Sequence, residues 1–344
     1  MRAVRFDAFG AEPQLVDLPA PSCPPHGAVI EVHATGVCRS DWHAWQGHDD
    51  SVSLPHIPGH EFAGVVAEVG EGATRFAPGD RVTAPFILAC GCCEQCRAGA
   101  PQVCPEQQQP GFHLAGAWAE QVVVTGADHN LVALPEEIDM TLAAGLGCRV
   151  GTAFHAVRSQ GSVRPGERVA VFGCGGLGLA CVLVARAAGA EVVAVDVSEA
   201  ALAAARELGA TPVPAGADAV ARVREVTGGG AHVTLDALGS AATARAALES
   251  LRPRGRHVQV GLLLGDDADP ALPIGRVIAQ ELQILGSHGL AVSEYRDLLA
   301  EIADGRLDLT RTVGRVITAE ELPAAMLAMG RPPTAAGMTV ARWR

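Results

Sequence analysis

Five of the ten cysteines fall in one stretch, "CGCCEQCRAGAPQVC", from Cys90 to Cys104. Within it Cys90, Cys93, Cys96 and Cys104 read C-x2-C-x2-C-x7-C. Four thiolates complete a tetrahedral zinc shell, and a shell filled by protein ligands is structural. Gly91, Gly99 and Pro101 let the backbone fold around an ion, and Cys92 should point away from the common centre. A redox-active or merely cysteine-rich loop is the plain alternative. An iron–sulfur cluster is another, although the spacing departs from the ferredoxin runs. A second set is scattered: "GVCRSDWHAWQG" (36–47), "PGHEFAG" (58–64) and "LGCRVGTAF" (146–154) offer Cys38, His60, Glu61 and Cys148. Two thiolates and an imidazole are a catalytic zinc set, with the fourth position left for water or substrate. Alone, each residue reads equally well as a buried cysteine or a core histidine.

A third motif adds redox chemistry. In "ERVAVFGCGGLGLACVLVARAAGAEVVAVDVS" (167–198), Gly173, Gly175 and Gly178 form G-x-G-x-x-G between an apolar strand and a helical run. A second strand ends at Asp196, about twenty residues on, as in a dinucleotide fingerprint. The glycines, with Gly176 and Leu177 between them, permit a tight turn and close approach of a pyrophosphate to the helix N-terminus. Asp196 suits two ribose hydroxyls and repels a 2′-phosphate, and the following "VSEAA" carries no arginine. NAD is therefore expected over NADP.

These residues need a scaffold. The chain has 344 residues, long enough for two domains. Up to about position 150 it reads as short strands broken by Gly and Pro. From 151 to 288 apolar strands such as "HVTLDALG", "RHVQVGLLLG" and "LQILGSHG" alternate with helical runs such as "EAALAAARELGA", the pattern of a doubly wound α/β sheet. The formal charge of −12 is unsuited to phosphate-backbone binding, so no nucleic-acid partner is expected. The chain has no lysine, which removes Schiff-base and Walker-type chemistry, and one tyrosine, Tyr295. No run is long and apolar enough for a membrane span, and the N-terminal "MRAVRFDAFG" is not a signal peptide, so a cytoplasmic location is expected.

Together, "GVCRSDWH", "PGHEFAG", "PGDRV" (78–82), the four-cysteine loop and the glycine fingerprint resemble the zinc-dependent medium-chain alcohol dehydrogenase family over nearly the whole chain. The resemblance implies a GroES-like barrel, residues 1–150 and 289–344, and a Rossmann domain, 151–288, with the reaction in the cleft between them. It implies two zinc ions per chain. Cys90, Cys93, Cys96 and Cys104 would hold the structural ion and Cys38, His60 and Cys148 the catalytic one, with Glu61 able to swing onto it. Asp41 resembles the carboxylate that orients a ligand, Ser40 the hydroxyl that touches the alcohol oxygen, and His43 the solvent end of a proton relay. Arg39, Thr152, Gly261 and Leu262 match cofactor contacts. Trp45 and Phe86 are candidates for an apolar substrate wall. The family's basic residue near the C-terminus is missing: Met338 stands there, with Arg342 as a candidate replacement. The implied activity is NAD-linked interconversion of an alcohol with an aldehyde or ketone by a homo-oligomer, tetramer before dimer. A polyol, threonine or formaldehyde dehydrogenase, or a silent zinc- and NAD-binding sensor, is the alternative.

Overall fold

The computed structural model describes residues 1–331 and 335–343. Two sheets divide the chain. The first is built on the ten-residue strand Ala28–Val37, which pairs antiparallel with Phe62–Val69, Gln121–Val124 and Met338–Arg342. Phe62–Val69 goes on to pair with Arg81–Thr83, and Met338–Arg342 with Val313–Thr318, so the end of the chain returns to the first sheet. Ile30, Val32, Phe62 and Val66 point into a core closed by Trp118 and Leu131. Each such side chain contributes about 1.5–3 kcal/mol on burial.

The second sheet is parallel, with its six strands in the order Thr211–Pro214, Glu191–Asp196, Arg168–Phe172, Ala231–Asp236, Leu251–Gln259, Gln283–Gly286. Counted in chain order this is 3-2-1-4-5-6, the dinucleotide-binding arrangement. From Val169 to Phe172 the strand "RVAVF" is buried on both faces because helices cover both, which is why these four residues are apolar without alternation. Its polypeptide turns at Gly173, where φ is +84°, into the helix Gly176–Ala187. A Cβ at Gly178 would lie 1.8 Å from the Gly173 carbonyl oxygen, so even alanine there would break the turn.

The strand pairings explain how remote residues converge. Thr35 lies opposite Phe62, and Val37 opposite Thr339. This places Cys38, at the end of one strand, beside His60 and Glu61, which precede the next. Cys148 caps the short helix Arg149–Phe154, which packs against Gly176–Ala187 and so joins the barrel to the nucleotide fold.

Candidate active site and metal centres

Cys38, His60 and Cys148 offer one ligand atom each, all within 4.8 Å of one another. Cys38 and His60 are buried, and Cys148 is half-buried. Behind them sits Asp41, also buried. Its Oδ1 accepts from His60 Nδ1 at 2.8 Å and from Gly59 N at 3.1 Å, and its Oδ2 accepts from Cys38 N at 2.9 Å. One carboxylate thus fixes the ring of one candidate ligand and the backbone of another. With Nδ1 committed to Asp41, His60 turns Nε2 inward, and that buried nitrogen has no hydrogen-bond partner. Buried polar atoms are rarely left so. Burial works against a charged His60, but the Asp41 carboxylate and the Cys38 sulfur hold its pKa above the ordinary value. Hydrogen bonding from Cys148 holds Cys38 low, and Cys148 is raised in return. Such a set gives up its protons to a cation, and the donors fit zinc.

The four-cysteine group closes on itself. Its sulfurs are 3.4 Å apart for Cys93–Cys96, 3.6 Å for Cys104–Cys90, 3.7 Å for Cys93–Cys104 and 3.9 Å for Cys90–Cys96. A zinc ion bound at about 2.3 Å from each sulfur requires tetrahedron edges of about 3.8 Å. The backbone N–H groups of Cys92 and Cys93 point at Cys90 Sγ and draw its pKa down to about 6. Cys92 is exposed and outside the group of four, yet it does not point away: its Sγ lies 3.7 Å from Cys90 Sγ.

The other residues named from the sequence divide between this group and partners elsewhere. Glu61 is not in the three-ligand group. Its Oε1 accepts from Arg149 N at 2.9 Å and Nε at 3.0 Å, and its Oε2 from Arg149 Nη2. Trp45 is no substrate wall: it is 6% exposed, packs in the barrel core and donates to the Ala11 carbonyl. Phe86 does lie at the group, edge-on to His60 at 5.9 Å, and Phe112 flanks the same ring at 5.4 Å. Arg342 bonds Thr141 Oγ1 at 2.8 Å, away from the glycine turn. Arg39 stacks over Trp42 and donates to the Met329 carbonyl. Ser40 Oγ is 3.9 Å from Cys38 Sγ. His43 Nδ1 is 3.0 Å from Nδ1 of the exposed His48, and burial, then Arg39 and His48, lower its pKa to about 4.

At the nucleotide turn, Asp196 Oδ2 accepts from Cys174 N at 2.6 Å and Oδ1 from Ser198 N at 2.8 Å. Gly175 has nothing within 4 Å of where a Cβ would stand, leaving backbone open to a phosphate. Gly261 is pressed against Gly239, and Leu262, Leu238 and Val197 expose apolar side chains at the carboxyl ends of the strands, where a nucleotide fits. Thr152 Oγ1, one turn beyond Cys148, is buried and unpartnered.

Sequence reasoning missed Arg149. It is 6% exposed, donates to the Val37 carbonyl at 3.2 Å as well as to Glu61, and lies against Gly176. A charge inside the otherwise uncharged "AAGLGCRVGTAF" was the available signal.

Residues 24–136 match the family model described as "Alcohol dehydrogenase GroES-like domain", and residues 176–304 the one described as "Zinc-binding dehydrogenase". An alcohol dehydrogenase of Geobacillus stearothermophilus is 34% identical over 89% of this chain and 90% of its own length. A probable D-xylulose reductase A of Aspergillus clavatus is 33% identical over 86% and 84%. The solved structure of an alcohol dehydrogenase from Thermus sp. ATN1 superposes with a TM-score of 0.91 at 34% identity, covering 100% of both chains.

Proposed function

The chain belongs to the zinc-dependent medium-chain alcohol dehydrogenase family, and from that premise we propose how its own residues divide the work. It is an oxidoreductase that moves hydride reversibly between an alcohol and a nicotinamide dinucleotide, giving an aldehyde or ketone. Bound zinc supplies a Lewis acid and bound nicotinamide a hydride acceptor. Cys38, His60 and Cys148 hold the reactive ion, and Asp41 sets the His60 tautomer. Cys90, Cys93, Cys96 and Cys104 hold the structural one. The Ser40 hydroxyl would accept the alcohol's proton as it gives up its own, and His43, beside His48, would take the released proton toward solvent. The turn Gly173–Gly178 receives the diphosphate, Asp196 the ribose, and Thr152, Gly261 and Leu262 the nicotinamide end. The lack of a basic residue next to Asp196 supports NAD over NADP.

Phe86 and Phe112 beside His60 favour a simple or aromatic alcohol over a polyol. The outer strand Gln283–Gly286 exposes Ile284, with Ile274 and Ile278 exposed on the segment before it, which supports a homo-oligomer; the order tetramer before dimer rests on the family resemblance alone. No described helix is long and apolar enough to cross a membrane. None of the described cysteines is paired in a disulfide, which supports a reducing compartment such as the cytoplasm.

The unpartnered His60 Nε2 between two thiols carries this reading. Alcohol-dependent formation of NADH, measured by absorbance across simple, aromatic and polyhydroxy alcohols, tests it. A protein that binds zinc and NADH but turns over none of them would be the silent sensor instead.

A further inference from the structure

Position 338, where a cofactor-facing cation is missing, and Arg149 meet at the same point. A Cβ built on Gly176 would lie 3.0 Å from Met338 Cγ, 3.0 Å from Arg149 Cδ and 3.2 Å from Arg149 Nη1. Gly176 opens the helix after the glycine turn, so its N–H end is where a diphosphate is received. Arg149 is buried, and its guanidinium is anchored from behind by Glu61 and by the carbonyls of Val37 and, at 3.5 Å, Thr339. Gly36 is shaped to this pair: a Cβ there would lie 1.9 Å from Glu61 Oε2 and 2.6 Å from Arg149 Nη2. Arg39 and Arg342, the other candidate cations, are engaged elsewhere.

We propose that Arg149 is the cation this chain presents to the dinucleotide diphosphate, taking by a different route in the chain the place that Met338 leaves apolar. The assignment rests on the cofactor site given above. It also explains the position of Glu61, which is drawn to Arg149 rather than into the ligand group. The guanidinium thus touches the residue before Cys38 and the residue after His60, and itself follows Cys148. The ligand-bearing corner of the barrel and the nucleotide turn share one side chain.

The test is calorimetric titration of the zinc-loaded protein with NADH, ADP-ribose and adenosine. Charge-assisted contacts to a phosphate predict that Arg149→Met weakens NADH and ADP-ribose by about 10–100-fold and leaves adenosine within about twofold. The exchange variant Arg149→Met/Met338→Arg, with the charge moved to the other side chain at Gly176, should recover most of that loss. If Arg149→Met leaves the carboxylate unpaired and does not fold, Arg149→Met/Glu61→Gln serves as the folded background. Unchanged ADP-ribose binding, equal losses for adenosine and ADP-ribose, or an exchange variant no tighter than Arg149→Met would each overturn the assignment. Wild-type protein that binds no NADH would overturn the cofactor site itself, and this assignment with it.

Discussion

The four-cysteine lobe and the Cys38–His60–Cys148 group both gather thiols, and the proposed reading gives them opposite tasks. The lobe draws every ligand from one loop, and its sulfurs face one another and backbone N–H groups. The other group draws one ligand from each of three distant segments, supports its histidine with a buried carboxylate and leaves Nε2 unsatisfied. A loop can close around an ion by itself and staple the chain. A group assembled by a sheet and a helix end can be left one ligand short, and in catalytic zinc sites that open position takes water or substrate.

Substitutions should separate the two. Cys148→Ser should lower kcat/KM for alcohol by at least about 10³-fold, since the metal supplies several kcal/mol and each 1.4 kcal/mol is tenfold. Its thermal midpoint should stay close to wild type, checked by calorimetry. Cys93→Ser should do the reverse: a midpoint lower by roughly 5–10 °C, with near wild-type kcat in the protein that remains folded. Equal effects on both quantities in both variants would erase the distinction. Asp41→Asn sharpens it, because the lobe has no such carboxylate. It should weaken zinc at the open site by about 10–100-fold, read by competition with a chelator, and leave the lobe's ion in place.

The smallest effect concerns His43. His43→Gln should slow alcohol oxidation by roughly three- to tenfold, with partial rescue by added imidazole, because water can replace a solvent-side relay member. His43 has a pKa of about 4 in the fold against an ordinary value of 6.5. Between these values the unfolded chain takes up a proton and the folded one does not, so stability falls as pH drops through that window. His43→Gln should flatten the fall, measured as the thermal midpoint between pH 6.5 and pH 4. An unchanged slope would remove His43 from the half-buried, neutral role.

Much of this was readable in the sequence because it is local. The spacing of Cys90, Cys93, Cys96 and Cys104, and of the three turn glycines, is fixed within a few residues of chain, and the two-sheet division follows from where alternating strands give way to strand–helix repeats. Arg149 was not readable, because its role depends on Val37, Glu61 and Gly176 arriving from three places. Trp45 was misread because residue type does not say which side of the helix Arg39–Trp45 faces the core. Arg342 could not replace a cation at 338: four residues along a strand is about 13 Å, and it ends at Thr141.

The contrast between a closed staple and an open reactive group is tested most directly by counting metal during chelation. Zinc content, activity and circular dichroism are followed together as a chelator is raised. The purified protein should start with about two zinc ions per chain. Loss of the first should abolish turnover with secondary structure intact, and loss of the second should coincide with unfolding. Departure of both ions in one step, or collapse of the fold with the first, would contradict the account.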